Sequence, residues 1–202
     1  MRSSRSMGAR RVLLACLVCA GVVGLAPVAR RGGEVQAFPD HPPVAHTGGF
    51  GEPTCAKCHA GRAPNAPGGT LALEGVPDAF EAGKRYRLVV ALARPEMASG
   101  GFQLAARCGD GRQAGELSPG DAARVAVAAD ARSGVRYAHQ TADGAEPAEP
   151  GRAAWTVEWT APAQGCPEVR FDAAANAANG DQSALGDYVY TRSLPTKLGA
   201  GR

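Results

Sequence analysis

Aromatic residues are scarce in this chain, making up 5% of its 202 residues. Hydrophobic residues still reach 45%, which is enough for one core, and the scarcity predicts that this core is mostly aliphatic. The length suits one domain with short appendages. Glycine (27) and proline (15) are abundant, which favours many turns and little helix.

The chain after residue 37 also lacks a large surplus of basic or acidic residues. Six of the 22 basic residues and one of the 19 acidic residues fall within residues 1–37, so the rest carries 16 basic and 18 acidic residues. No run of like charges forms a polybasic tail. This near-neutral balance argues against nucleic acid as a partner.

Signatures of common enzymes are missing as well. The chain has no nucleophile elbow, no Walker loop and no supported pair of catalytic carboxylates. Residues 176–181 offer oxygen ligands of the kind found in calcium loops, but they lack the spacing and the final glutamate of an EF-hand. A turn is the favoured interpretation there, and the protein is predicted not to be an enzyme.

Residues 1–37 resemble an export signal. Four arginines precede an apolar stretch over residues 12–28, and Val35-Gln36-Ala37 fits a cleavage site. An uncleaved signal anchor, with membrane association through the apolar segment, is the alternative. Either way the mature protein is predicted to work outside the cytoplasm, whether periplasmic, cell-surface or secreted.

Short alternating runs dominate the chain after residue 70. They fall at residues 70–73, 85–92, 101–106, 124–128, 135–139, 154–160, 168–173 and 187–192. Eight such runs separated by turns predict an all-β antiparallel sandwich over residues 70–194. A Pro/Gly-rich arm at residues 38–69 precedes it, and residues 195–202 are predicted to be a flexible tail.

The arm contains the motif C-x-x-C-H at Cys55, Cys58 and His59. This spacing is typical of covalent attachment of one haem c, with the two thiols on the porphyrin and the histidine as proximal iron ligand. Export fits this chemistry. A simple disulfide, a dithiol redox pair or half of a zinc site are the alternatives, although a second ligand pair for zinc is absent.

A sixth iron ligand has several candidates. His139 is favoured because it ends a predicted strand, which would place it rigidly. Met97, His46 or an open site are the alternatives. An open site would permit gas or peroxide binding and peroxidase-like activity.

Cys108 and Cys166 form the remaining pair outside the signal. In an oxidising compartment they are predicted to form a structural disulfide, because unpaired cysteines rarely persist there.

Several segments together resemble the exported bacterial proteins with a Reeler domain, also called the choice-of-anchor V domain. The matching segments are residues 47–55 leading into Cys58 and His59, Gly101-Phe102-Gln103-Leu104, Tyr137-Ala138-His139-Gln140-Thr141, Trp159-Thr160-Ala161-Pro162, and residues 173–180 followed by Gly186-Asp187. The resemblance covers residues 47–192. It implies an Ig-like sandwich with a single c-type haem motif at its start, and it supports His139 as a recurrent position.

These observations predict an exported mono-haem protein that carries electrons or senses redox state, with an unidentified redox partner protein. A secreted adhesion or interaction domain, in which Cys55 and Cys58 form only a disulfide, is the alternative function.

Overall fold

The computed structural model describes residues 38 and 40–200. The predicted signal at residues 1–37 therefore lies outside the described residues. Within them, no helix is long and apolar enough to cross a bilayer.

Two β-sheets pack face to face, which confirms the predicted antiparallel β-sandwich. The strands are β1 (Ala60–Gly61), β2 (Thr70–Glu74), β3 (Ala79–Phe80), β4 (Arg85–Ala93), β5 (Ser99–Cys108), β6 (Glu116–Pro119), β7 (Val125–Ala129), β8 (Arg136–Gln140), β9 (Arg152–Thr160), β10 (Glu168–Ala178) and β11 (Leu185–Leu198). One helical turn, α1 (Ala142–Ala145), follows β8.

The larger sheet has seven strands in the order β1-β11-β10-β5-β8-β7, and β3 also pairs with β11. The smaller sheet has the order β2-β4-β9-β6. Neighbouring strands are antiparallel except that the short strands β1 and β3 run parallel to β11. Strand β11 continues to Leu198, so regular pairing extends beyond residue 194.

Alternation along the strands explains how the two sheets bury a common core. In β9 the side chains of Trp155, Val157 and Trp159 are buried, and their neighbours face outward. Most of the few aromatic side chains lie in or against this core, whereas Phe38 and Phe50 are exposed. Trp159 packs edge-on against Phe80 and Phe171, with ring centroids 5.5 and 4.8 Å away. The core is therefore more aromatic at its centre than the composition predicts.

A disulfide joins Cys108 to Cys166, as predicted, with their Cα atoms 5.5 Å apart. It ties the end of β5 to the segment that leads into its neighbour β10. The bond is consistent with an oxidising, extracytoplasmic compartment.

Candidate functional site

A cleft of about 350 Å³ opens at one end of the seven-stranded sheet. Strand β5 begins at this end, β8 and β10 finish there, and β11 begins there, because these strands alternate in direction. Loops and strand ends therefore converge on one place. The N-terminal arm and the cysteine motif form the opposite wall.

Most of the cleft surface is apolar, with a few polar groups at defined points. The arm contributes Phe38, Pro42, Pro43 and His46. The motif contributes Cys55, Cys58 and His59. The sandwich contributes residues from five elements and from the loop between β10 and β11, namely Ser99, Gly100, Gly101, Phe102, Gln103, Gln140, Ala145, Asn176, Ala178, Gly180, Gln182, Ser183 and Asp187.

The cysteine motif is held by one turn of 3-10 helix over Cys55–Lys57. The hydroxyl of Thr54 accepts a hydrogen bond from the Ala56 backbone N–H at 3.2 Å, which caps the start of this turn. The backbone N–H groups of Cys58 and His59 both donate to the Cys55 carbonyl, at 3.1 and 2.9 Å. These bonds place both cysteines and the histidine at the cleft.

His59 meets a buried carboxylate from the other end of the chain. Its Nδ1 lies 2.6 Å from Oδ2 of Asp187, whose side chain is fully buried. The side-chain N–H of Asn176 also donates to this oxygen, at 3.2 Å. A carboxylate accepts hydrogen bonds only, so the proton of a neutral His59 ring sits on Nδ1. Its Nε2 is then an acceptor, and no described protein group bonds to it.

Asn176 carries a second acceptor without a partner. The residue is 6% exposed and lines the cleft, and its Oδ1 has no hydrogen-bond partner among the described residues. A buried amide oxygen left unpaired is costly unless a ligand or water satisfies it. The cleft thus presents two unpaired acceptors, one from His59 and one from Asn176.

Two glutamines anchor the arm across the sheet. The side chain of Gln103 accepts from the His46 backbone N–H at 3.0 Å and donates to the Pro43 carbonyl at 2.6 Å. The side chain of Gln140 accepts from the Phe102 backbone N–H at 2.9 Å and donates to the Phe38 carbonyl at 3.3 Å. The arm is therefore bonded to β5 and β8 through side chains rather than through strand pairing.

The favoured pair of iron ligands, His59 and His139, is not brought together. His46 and His59 line the cleft, whereas Met97 is 4% exposed within the hydrophobic core. His139 is 1% exposed, lies outside the cleft lining, and its Nδ1 donates to the Gln140 carbonyl at 2.8 Å. Its ring instead faces His41 of the arm, with centroids 5.7 Å apart.

The prediction of a haem c cofactor is wrong. Within residues 38 and 40–200, no group of three or more His, Cys, Asp or Glu side chains is arranged to hold a metal ion. His139 does not reach the cleft that His59 lines. The two histidines therefore do not face a common centre, and Cys55 and Cys58 are free thiols.

Burial of His139 makes the stability of the folded protein depend on pH. Burial lowers its pKa, the bond to the Gln140 carbonyl partly opposes this, and the nearby His41 lowers the pKa further while Asp40 raises it. The unfolded chain therefore binds this proton more readily than the folded protein does. The stability from a neutral His139 is present above the unfolded pKa, about 6.5, and is lost as the pH falls.

We therefore expect the wild-type protein to lose stability on acidification more steeply than His139→Gln. For one group the difference in slope is at most about 1.4 kcal/mol per pH unit. The measurement is urea unfolding of both proteins between about pH 7 and pH 5. Parallel stability curves would show that His139 does not couple folding to pH.

No protein-family model matches the chain, and no curated protein matches it. Solved structures do resemble it. The Reelin-N domain of F-spondin shares 19% identity over 72% of this chain and 96% of that chain, with a TM-score of 0.47. A human F-spondin reeler domain shares 19% identity over 69% and 93%, with a TM-score of 0.45. AvmM, which catalyses macrocyclization in alchivemycin A biosynthesis, shares 17% over 68% and 92%, with a TM-score of 0.41. The likeness concerns the Reeler-like fold alone, and the resemblance to the choice-of-anchor V group stays a prediction.

Proposed function

We propose that this protein is an extracytoplasmic, non-enzymatic interaction domain whose cleft binds a small apolar molecule that carries a hydrogen-bond donor. The observation that carries the proposal is the pair of unpaired acceptors, Nε2 of His59 and Oδ1 of Asn176, in an otherwise apolar cleft. Apolar walls with a few placed polar groups are typical of ligand sites, and about 350 Å³ lies within their usual size range.

The buried carboxylate of Asp187 determines which ring nitrogen of His59 can accept a hydrogen bond from a ligand. Because Asp187 holds the proton of His59 on Nδ1, the ring offers an acceptor rather than a donor to the cleft. A ligand with one N–H or O–H hydrogen would satisfy one of the two acceptors, and a ligand with two such hydrogens would satisfy both this nitrogen and the amide oxygen of Asn176. The two side chains lie close together, since the amide nitrogen of Asn176 is 3.0 Å from Nδ1 of His59. The ligand would therefore have one polar end and an apolar body.

The hydrogen-bond partners of His59 favour a binding site over a catalytic site. Among the described residues, no serine, threonine or cysteine side chain hydrogen-bonds to the His59 ring. A histidine–carboxylate pair needs such a neighbour to act as the base of a nucleophilic enzyme. The pair here is instead suited to holding a ligand in one orientation.

Phenylnaphthylamine is a suitable probe, because it is neutral, apolar, has one N–H donor and fluoresces more strongly in apolar surroundings. We expect Ala178→Trp, which fills the cleft at the end of β10, to weaken its binding more than tenfold. Ala72→Trp is the matched control, since Ala72 lies on β2 of the other sheet and away from the cleft. Because the probe has one N–H hydrogen, the variant that removes its acceptor, either His59→Phe or Asn176→Leu, is expected to weaken binding about threefold to tenfold, the value of one hydrogen bond.

Fluorescence titration measures the dissociation constant of each variant, and urea unfolding confirms that each is folded. Equal binding by Ala178→Trp and Ala72→Trp would overturn the proposal, as would the absence of any saturable fluorescence change in the wild-type protein.

A further inference from the structure

We propose that Cys55 and Cys58 form a reversible dithiol–disulfide pair that senses the redox state of the compartment and sets the affinity of the cleft. The effect on the affinity of the cleft rests on the proposed binding function. Disulfide exchange between Cys55 and Cys58 does not depend on that function. The exchange and the effect on affinity are therefore tested by separate measurements.

Both cysteines are placed for exchange with a partner in solution. They are free thiols, each partly exposed, and each lines the cleft. Cys108 and Cys166, by contrast, are 3% and 4% exposed and already bonded to each other. Residues 40–200 therefore contain one closed pair within the core and one open pair at an accessible wall.

The geometry of the turn allows the open pair to close. Cys55 and Cys58 are three residues apart in a 3-10 turn, in which side chains at this spacing lie one above the other. The backbone bond of 3.1 Å from Cys58 N–H to the Cys55 carbonyl holds them at adjacent levels. Such a turn brings the two Cα atoms within the range that a disulfide spans. Closure then needs side-chain rotation rather than a new backbone path.

The two thiols differ in reactivity, which sets the order of steps. Burial raises the pKa of Cys55 to about 12, a hydrogen bond from its own backbone N–H partly opposes this, and the neighbouring Cys58 raises it further. Cys55 therefore remains a thiol at neutral pH and is the poorer nucleophile for an incoming disulfide. Exchange begins at Cys58.

The reaction requires a disulfide oxidant, such as oxidised glutathione or an oxidised dithiol protein. The Cys58 thiolate attacks one sulfur of the oxidant, forms a mixed disulfide and releases the first thiol. Cys55 then gives up its proton and attacks the Cys58 sulfur, which forms the Cys55–Cys58 bond and releases the second thiol. Two electrons and two protons pass from the protein to the oxidant, and a reducing thiol reverses both steps.

This bond is expected to be easier to reduce than the Cys108–Cys166 bond. Cross-links that close short loops restrict the unfolded chain less than those that close long ones. The structural pair is separated by 58 residues along the chain, whereas the open pair has only two residues between its members. Exposure at the cleft also gives a reductant access that the core bond lacks.

Closure is expected to tighten ligand binding. The backbone N–H of His59 bonds to the Cys55 carbonyl at 2.9 Å, so the turn that carries both cysteines also positions the ring. A cross-link within this turn reduces its freedom before the ligand arrives, and such preorganisation raises affinity. We expect the oxidised protein to bind phenylnaphthylamine about fivefold more tightly or better, a typical size for coupling between two sites.

The test equilibrates the exported protein in glutathione buffers of increasing oxidation, followed by alkylation with iodoacetamide and intact-mass measurement. We expect Cys55 and Cys58 both to be alkylated in reducing buffer and neither to be alkylated in oxidising buffer, with the Cys108–Cys166 bond closed throughout. Cys55→Ser is expected to alkylate faster than Cys58→Ser, because each variant leaves only one of the two thiols. Alkylation of both Cys55 and Cys58 at every buffer composition would overturn the redox pair.

Titration with phenylnaphthylamine in both redox states tests the coupling. Tighter binding by the oxidised protein, absent in Cys55→Ser and Cys58→Ser, supports it. Equal saturable binding in both states overturns the coupling and leaves the binding site standing. Closure of the disulfide without saturable binding in either state overturns the proposed function and supports the redox pair alone.

Discussion

Replacing Cys108 and Cys166 together by alanine is expected to lower the free energy of unfolding by about 4 kcal/mol. The two residues are separated by 58 positions along the chain, and a cross-link over a loop of this length removes much of the freedom of the unfolded state. In the folded protein the bond joins adjacent strands, since Cys108 pairs with Val169 of β10. Both side chains are buried in the core cluster, so alanine leaves the surroundings apolar.

Urea unfolding of the double variant measures this effect. The matched control is Cys55→Ala/Cys58→Ala, which removes the same atoms from partly exposed positions where no long loop is closed. We expect that control to change the free energy of unfolding by about 0.5 kcal/mol or less under reducing conditions. Similar losses in the two double variants would mean that the long loop does not determine the stability of the sandwich.

The strand pattern could be predicted from the sequence because burial on one face imposes a period of two. Trp155, Val157 and Trp159 show this, and β9 is observed where their alternation predicts it. Strand β6 (Glu116–Pro119) was not predicted, because it has only four residues and ends in proline. A strand of this kind is tolerated at the edge of a sheet, where it carries little periodic signal. The one-turn helix after β8 was also not predicted, although Thr141 caps it through the Gly144 N–H.

The candidate site could be predicted only in part. The spacing of Cys55, Cys58 and His59 marks them as neighbours, and all three line the cleft. Asp187 is 128 residues from His59, and the two meet only because β1 and β11 pair at this end of the sheet. The Gly186-Asp187 pair was noticed in the resemblance, but no local pattern indicates its partner.

His139 shows the limit of reasoning from strand periodicity. A strand was predicted at residues 135–139, and in the structure His139 of β8 pairs with Gln103 of β5. Whether that face is open or covered depends on the arm, whose course is fixed by side-chain bonds to Gln103 and Gln140. An irregular, proline-rich segment has no periodicity that would reveal such anchoring. The burial of His139 beside His41 therefore required the tertiary structure.

Replacing Arg107 by methionine is expected to lower the free energy of unfolding by about 3–5 kcal/mol, the usual cost of breaking a buried ion pair. Arg107 is 4% exposed, and its guanidinium donates to Oε1 of Glu52 at 2.6 Å. It also donates to the hydroxyl of Thr47 at 3.2 Å and to the carbonyl of Gly49 at 3.3 Å. The ring of Phe50 lies against its face, with the guanidinium carbon 4.5 Å from the centroid. Loss of the arginine would leave Glu52 half-buried without its cation.

The charge of Glu52 makes the contribution of the Arg107–Glu52 pair to the free energy of unfolding dependent on pH. Burial alone would raise the pKa of Glu52, but hydrogen bonds from Tyr137, Thr47 and Arg107, with the charge of Arg107, hold it below its usual value. A lowered folded pKa means that the stability is present above the unfolded pKa of about 4.5 and is lost as the pH falls through the folded value. The difference between wild type and Arg107→Met is therefore expected to narrow in acid.

Arg112→Met is the matched control for this prediction. Arg112 pairs with Asp110 at 2.8 Å, but both side chains are more than half exposed, and exposed pairs contribute about 1 kcal/mol or less. Urea unfolding at neutral and acidic pH compares the two variants with the wild type. Equal losses at the two arginines, or a loss at Arg107 that persists unchanged in acid, would show that the cluster stabilises the arm through packing of Phe50 rather than through charge. Arg107→Met is expected to lose more stability than Arg112→Met because the Arg107–Glu52 pair is buried, so water screens its attraction less than that of the exposed Arg112–Asp110 pair.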